Sequence, residues 1–344
     1  MKTYLRDTIF SGWSEPNWLT YLLLPLTLLY KVLMFCRFKV YRWGFLARYR
    51  ARVPVIVVGN ISVGGTGKTP LTMALIELLR KKGFSPGVIS RGYGGKALDW
   101  PQIVDEKSNP HYIGDEAVLI AKRLHCPVVV GPDRGKTADL LLERFDCDVI
   151  VSDDGLQHYA LRRDIEIAMV DSQRRHLNQF CLPSGPLREP VSRLRKVDMV
   201  VFHTSPKRGQ TKTVVASNSA FPSDGPIASL WLEHQPIVSM VGNKVLNQEM
   251  KVHAVAGIGH PQRFFRQLQE LGFELIEHPF PDHHHFVADD FDYDDDFPII
   301  MTEKDAVKCT AFATERFYFL PVQARLNDVA EAKLSRLIDE KVKR

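Results

Sequence analysis

The sequence predicts an α/β fold: a parallel, doubly wound sheet with a second, smaller α/β domain behind it and a helical segment in front. Three observations predict it. Between residues 53 and 203, apolar runs of strand length alternate with amphipathic runs of helix length. A glycine turn ending in Gly-Lys-Thr joins the first of those strands to the first of those helices. Ahead of them, residues 1–52 hold nine Lys/Arg against two Asp/Glu, a net of +7, while the remainder of the chain nets −2.

The N-terminal segment comes first. Residues 18–30 read WLTYLLLPLTLLY, uncharged and strongly apolar, before Lys31 interrupts. A spanning helix needs roughly 20 uninterrupted apolar residues; this run is shorter and contains Pro25. RFKVYRWGFLARYRAR follows, with basic and aromatic residues interleaved, a composition that suits the headgroup layer of a bilayer. Residues 1–50 are therefore read as a helical segment lying on a membrane surface. The competing readings are a helix packed on the domain and a true span. With no small-residue cleavage site, a signal peptide is not expected. The locality of the basic excess argues against a chain that coats nucleic acid. Five widely spaced cysteines without a CxxC pair suggest neither a disulfide framework nor a thiolate zinc site, and fit a reducing compartment.

Residues 53–59, VPVIVVG, read as a buried strand. The turn runs through Ser62, Gly64, Gly65, Thr66 and Gly67 to Lys68 and Thr69, and LTMALIELLRKKG continues as a helix with Gly83 at its C-terminal stop. Glycines let backbone N–H groups converge on phosphates, and the helix N-terminus adds partial positive charge. Lys68 would reach the β- and γ-phosphates of ATP and Thr69 would bind Mg²⁺. The usual first glycine of such a P-loop is replaced by Ser62, which makes the turn a variant.

Strands are expected at 86–90, 127–131, 147–155, 165–171 and 198–203, and helices at 115–125 and 134–145. This makes residues 51–205 a P-loop NTPase-like domain, with ligands at the carboxyl ends of its strands. Asp153 and Asp154 stand at such an end, where a carboxylate holds Mg²⁺; the spacing does not say which of the two binds it, and a turn aspartate is the alternative. Residues 206–250 are turn-rich and read as an inter-domain connection. Residues 251–344 form the smaller domain, with strands at 251–259, 273–280 and 298–302 and a helix opened by Pro261.

Several further residues carry chemistry in one reading and structure in another. Asp115 begins a helix and is either a proton acceptor or a cap. His283, His284 and His285 are consecutive, so one point on a regular element cannot be shared by all three; one active histidine with two bystanders is expected over a metal cluster. Arg188 and Glu189, in GPLREP, suit phosphate contact or a surface ion pair. Arg91 and Tyr93 lie in a second glycine-rich loop that lines phosphate or sugar. Residues 302–308, TEKDAVK, follow a strand and contact a nucleotide base or cap a helix from Thr302 to Asp305.

Taken in order, GNISVGGTGKTP (59–70), SRGYG (90–94), GDEA (114–117), GPDR (131–134), SDDGLQH (152–158), GPLREP (185–190), PDHHHF (281–286) and TEKDAVK (302–308) resemble the tetraacyldisaccharide 4′-kinase family of lipid A biosynthesis. The resemblance spans most of the chain. It implies ATP-dependent phosphorylation of the 4′-hydroxyl of a tetraacyl glucosamine disaccharide 1-phosphate at the cytoplasmic face of the bacterial inner membrane. It also implies that Asp115 and His283 pair to activate the acceptor hydroxyl. With Asp115 in the first domain and His283 in the second, closure of the domains would then assemble the base. Ala117 stands where the family usually has Pro, and Leu156 where it often has Phe; both positions shape loops. The alternatives are a membrane-associated P-loop ATPase acting as a switch, which would not need the Asp115 and His283 motifs, and a membrane-bound scaffold that only binds nucleotide.

Overall fold

In the computed structural model, which describes residues 2–172, 177–204, 227–242, 246 and 250–343, the apolar runs become strands and the amphipathic runs helices. Three helices open the chain: α1 (Lys2–Ser14), α2 (Trp18–Leu22) and α3 (Leu24–Arg42). Next come β1 (Val55–Gly59), α4 (Lys68–Lys81), β2 (Pro86–Ser90), β3 (Gln102–Val104), α5 (Pro110–Ile113), α6 (Asp115–Leu124) and β4 (Val128–Val130). Then follow α7 (Arg134–Arg144), β5 (Val149–Ser152), β6 (Ile165–Asp171), β7 (Met199–His203), β8 (Ser229–His234) and β9 (Val238–Ser239). The chain finishes with β10 (Lys251–Ala256), α8 (Pro261–Glu270), β11 (Glu274–Pro279), β12 (Ile299–Thr302), α9 (Glu303–Cys309), β13 (Phe317–Leu320), β14 (Val322–Leu326) and α10 (Asp328–Lys341).

Contacts divide the chain into two units, each discontinuous in sequence: Met1–Gly87 with Asp146–Trp231 and Arg325–Arg344, and Val88–Phe145 with Leu232–Ala324. In the first unit β1 lies between β5 and β6 and is parallel to both; β7 and β8 extend the sheet beyond β6, also in parallel. Every residue of β1 is buried, as a central parallel strand covered on both faces must be. Helix α4 turns Leu71, Leu75 and Leu79 into the core, and Gly83 follows its end with φ +87°, a conformation that a side chain would strain. The helix starts three residues before the sequence pattern suggested, because Lys68, Thr69 and Pro70 already form its first turn.

The N-terminal segment is docked on one face and bare on the other. Pro25 sits in the first turn of α3, where its missing N–H costs no helical bond, and the apolar run is split between α2 and α3. The inner face is polar and specific. Thr27 donates to Ser184 Oγ at 2.8 Å, Tyr30 donates to the Arg188 carbonyl at 2.9 Å, and Trp13 Nε1 donates to the Pro183 carbonyl at 3.1 Å. The outer face leaves Leu22, Leu28, Leu33 and Phe35 each at least 60% exposed. Among the described residues, no helix is long and apolar enough to cross a membrane.

In the second unit, β2 and β4 are parallel and β3 is antiparallel to β4. A separate sheet runs in the order β11-β10-β12-β13-β9, parallel except for β9. Phe264, Phe265 and Leu268 of α8 pack on that sheet with Ala254, Ile300 and Tyr318.

The contact division differs from the continuous one expected. Residues 88–145, read as part of a 51–205 domain, group with residues 232–324. Strand and helix patterns fix the order of elements but not the core into which each is buried, so a doubly wound run can be shared in this way. Of the connection read at 206–250, residues 206–226, 243–245 and 247–249 lie outside the described residues, and residues 229–239 carry β8 and β9.

Two substitutions separate the packed core from the bare helix face. Phe265→Ala should cost about 3–5 kcal/mol in urea unfolding, because it opens a cavity at a fully buried site. Leu33→Ser, on the 60% exposed face, should change stability by less than about 0.5 kcal/mol.

Candidate active site

The nucleotide end is built where β1 turns into α4. Gly67 caps the helix with φ +92°; a Cβ there would lie 3.2 Å from His203 Nδ1 and from the Met169 methyl. Glycine is therefore favoured by the backbone conformation, and the space beside it is tight. Asn60 Nδ2 donates to Thr66 Oγ1 at 2.9 Å and braces the turn from inside. Ser62 pairs with Leu187, Val63 N–H donates to the Pro186 carbonyl at 2.8 Å, and Arg188 N–H donates to the Ile61 carbonyl at 2.7 Å. The GPLREP segment thus lies along the turn. Its contact with Ser62 shows what that residue does where a glycine is usual: it forms backbone pairing on one side of the loop.

The two aspartates after β5 have different partners. Asp153 is almost fully buried and accepts from Thr72 Oγ1 at 2.8 Å and, more weakly, from Thr69 Oγ1 at 3.5 Å. Asp154 takes a left-handed φ of +47° and is more open. Its carboxylate lies 3.6 Å from Lys68 Nζ and accepts from Arg188 at 3.2 Å. Glu189, expected at the nucleotide, is committed elsewhere. It is buried, one oxygen accepts from Gln157 Nε2 at 2.7 Å, and the other accepts from the Tyr159 hydroxyl and lies 3.3 Å from Arg193 Nε. It braces the loop that carries Arg188.

A second cluster lies wholly in the other unit. Gly114 precedes α6 with φ +101°, and a Cβ there would lie 2.8 Å from the Tyr93 carbonyl, so the glycine-rich loop at 90–94 closes directly on the start of the helix. Asp115 is the first residue of α6 and not its cap. It is 4% exposed and lies 3.0 Å from His283 Nδ1 and 3.8 Å from both Lys304 Nζ and Lys308 Nζ. Burial alone raises its pKa, but the His283 hydrogen bond and the lysine and imidazole charges outweigh it and hold it down at about 2. Burial and Lys304 act to lower the His283 pKa, while the bond to Asp115 and the nearby carboxylates act to raise it; the net direction is upward. His283 has φ +61° and its ring lies 5.0 Å from that of Tyr93. Nδ1 faces Asp115 and Nε2 lies 3.8 Å from Asp282 Oδ1; a carboxylate with a pKa near 2 is itself a poor base.

The three histidines face three ways, as their spacing requires. His284 meets Asp290 at 3.0 Å, and the ring of His285 lies 4.2 Å from that of His111. Both Asp115 and His283 belong to the same unit, which corrects the expectation that they come from different domains. The TEKDAVK segment also resolves toward structure. Thr302 caps α9, and the fully buried Asp305 accepts from Gly257 N–H at 2.9 Å and from the Thr302 hydroxyl at 2.6 Å, which leaves neither residue for a nucleotide base. Its lysines are the part that reaches the site. Lys304 and Lys308 emerge on one side of α9, a consequence of their four-residue spacing that could have been read from the sequence.

A Gly-Lys-Thr turn between a buried parallel strand and a helix, with an aspartate 3.5 Å from that threonine, defines the P-loop nucleotide-binding proteins; a separate buried carboxylate–imidazole pair stands beside two lysines in the other unit. The chain belongs to the tetraacyldisaccharide-1-P 4′-kinase family, LpxK, whose sequence model matches residues 19–343. It is 45% identical over 337 residues to the tetraacyldisaccharide 4′-kinase of Nitrosococcus oceani, covering 98% of this chain and 96% of that one. It is 46% identical over 332 residues to that of Alkalilimnicola ehrlichii, covering 94% and 95%. A crystal structure of LpxK from Aquifex aeolicus in complex with ATP is similar at a TM-score of 0.77 and 31% identity, over 94% of this chain and 99% of that one.

The Asp115–His283 coupling has a signed consequence. Asp115, with its pKa lowered from 3.8 to about 2, contributes stability that is present above its ordinary value and lost as pH falls through 2. His283, raised above 6.5, contributes stability that is full below 6.5 and lost as pH rises through its folded value. Asp115→Asn should therefore lower the pKa of His283, read from its ring resonances during an NMR titration. An unchanged value would mean that the pair is not coupled in solution.

Proposed function

We propose that this chain transfers the γ-phosphate of ATP to the 4′-hydroxyl of a tetraacyl glucosamine disaccharide 1-phosphate in lipid A biosynthesis, working from the cytoplasmic face of the inner membrane. The observation that carries this reading is the buried Asp115–His283 pair, which the nucleotide end does not need for holding phosphates but a sugar hydroxyl does need for losing its proton. The same pair disfavours a regulatory switch, whose nucleotide hydrolysis requires no acceptor-activating base.

Each residue then has a defined task. The backbone N–H groups of residues 64–69 and the start of α4 receive the phosphates. Lys68 and Arg188, held ready on Asp154, are the cations available to the transferring group. His283 accepts the hydroxyl proton at Nε2 while Asp115 fixes its ring through Nδ1. Lys304 and Lys308 keep Asp115 ionised so that it can do so. The residues fit a magnesium ion: Thr69 and Asp153 offer hard oxygen donors at the foot of the turn, and the buried Asn60 Oδ1 has no hydrogen-bond partner among the described residues. When bound there, the ion would neutralise phosphate charge.

Attachment to the membrane is supported by the outer face of α2 and α3. Trp18, Leu22, Leu28, Leu33, Phe35 and Trp43 are exposed side by side with the basic residues of the segment, a combination that lies in the headgroup boundary.

Three outcomes test this account. Incubated with labelled ATP and a lipid extract containing the acceptor, the protein should move label into the lipid fraction; label released only as free phosphate would identify a switch. Lys68→Ala should lower transfer by about 10³-fold or more with an unchanged melting temperature. Asp115→Ala should lower kcat by about 10²- to 10⁴-fold with little change in ATP affinity; loss of stability with retained turnover would make Asp115 a helix-start residue and nothing more.

A further inference from the structure

Beside α3, the first unit contains a cavity of about 630 Å³ that includes none of the residues of the phosphate-binding turn. This is the size range of small-molecule sites. Its wall is aromatic: Phe38 and Tyr41 of α3 stand against the buried Tyr159, with the Phe38 and Tyr159 rings 5.3 Å apart. Its mouth is basic, lined by Arg42, Arg48 and Lys196.

The charges do not balance. Glu166 is shared by Arg163 at 2.9 Å and Arg193 at 2.7 Å. Asp198 is taken by Lys341, and Asp164 accepts from the Val55 N–H at 2.9 Å. Glu166 and Asp198 are thus used by the inner cations of the cavity, and Asp164 by a backbone N–H. Among the described residues, no carboxylate lies within ion-pairing distance of Arg42, Arg48 or Lys196; the ammonium of Lys196 rests over the Phe38 ring at 5.4 Å. Partial burial and the neighbouring Arg163 and Arg162 lower the pKa of Arg48 and outweigh the opposing charge of Glu166, the direction expected of a cation with more positive than negative charge around it.

The cavity also has a fixed place on the membrane-facing segment. Leu33 and Phe35 are exposed one and two turns before Phe38 and Tyr41, and Trp43 and Phe45 are exposed just after them. Exposed apolar residues that would lie in the acyl boundary therefore flank the cavity-lining residues along the chain, which sets the cavity near the depth of lipid headgroups.

We propose that this cavity binds the phosphate headgroup of an anionic bilayer lipid, with Arg42, Arg48 and Lys196 as its cations and Phe38 and Tyr41 against the glycerol and first acyl carbons. The site is separate from the phosphate-binding turn and from the Asp115–His283 pair, and the proposal rests on the membrane attachment argued above. An anion there supplies the charge that the mouth lacks.

Flotation with vesicles of phosphatidylcholine, with and without phosphatidylglycerol, tests it. Wild type should bind both and prefer the anionic vesicles. Arg48→Ala/Lys196→Ala should lose about tenfold of that preference while keeping its binding to neutral vesicles, its melting temperature and its transfer to detergent-dispersed acceptor. A control pair outside the cavity, Arg37→Ala/Arg50→Ala, should lose less than about threefold. Equal losses in the two pairs, or none in either, would reduce the site to diffuse surface charge and overturn the proposal. Displacement by inorganic phosphate, beyond that of chloride at matched ionic strength, would make the ligand a soluble phosphate and overturn the lipid source. Equal wild-type binding to both vesicles overturns the cavity alone, whereas binding to neither overturns the membrane attachment with it.

Discussion

The carboxylate of Asp154 holds two cations at once, Lys68 at 3.6 Å and Arg188 at 3.2 Å, and the nucleotide end of the molecule is arranged around that contact. It ties three stretches of chain together: the turn after β1, the end of β5 and the GPLREP segment. Each is held from behind. Gly67 and the Asn60–Thr66 bond set the turn; Thr72 and Thr69 hold Asp153; Glu189, with Gln157, Tyr159 and Arg193, sets the loop that presents Arg188. Asp154 itself sits in left-handed backbone, a conformation that costs a non-glycine residue of order 1–3 kcal/mol and persists where its surroundings fix it. The cations are therefore positioned by their own unit, and a phosphate group offers them a stronger partner than one shared carboxylate.

The proton-handling end follows a different logic. Asp115 is buried, and burial alone would favour its neutral form. His283 and two lysines reverse that preference, so the group is ionised and paired with an imidazole. A residue with a pKa near 2 suits that pairing better than proton abstraction, whereas His283, shifted upward from 6.5, lies closer to the range in which a base works. The Gly-Lys-Thr turn thus belongs to one unit and the Asp115–His283 pair to the other.

Much of the frame was legible in the sequence. Strands β2 and β6 begin and end where the sequence pattern places them, because buried parallel strands are predominantly apolar and are bounded by polar turns. The turn was legible because Gly-Lys-Thr between strand and helix is dictated by backbone geometry. Other features were not. Glu189 shares a loop with Arg188, yet its side chain points into a buried network, and nothing in a proline-bounded loop says which way adjacent side chains turn. The grouping of residues 88–145 with residues 232–324 depends on long-range packing that no local pattern encodes. Lys304 and Lys308 could have been found by helical spacing, but only once Asp115 was known to lie opposite them. The triple histidine was legible in part: consecutive positions must diverge, and the structure gives each ring a different partner.

On the proposed function, the turn ending at Lys68 receives the triphosphate. The most direct measurement is a crystal structure of the chain with a non-hydrolysable ATP analogue and magnesium. The account predicts the phosphates against residues 64–69, with Lys68 Nζ moved from Asp154 to a phosphate oxygen and the metal among Thr69 and Asp153. A nucleotide bound away from this turn, or Lys68 still on Asp154 with the analogue in place, would contradict it.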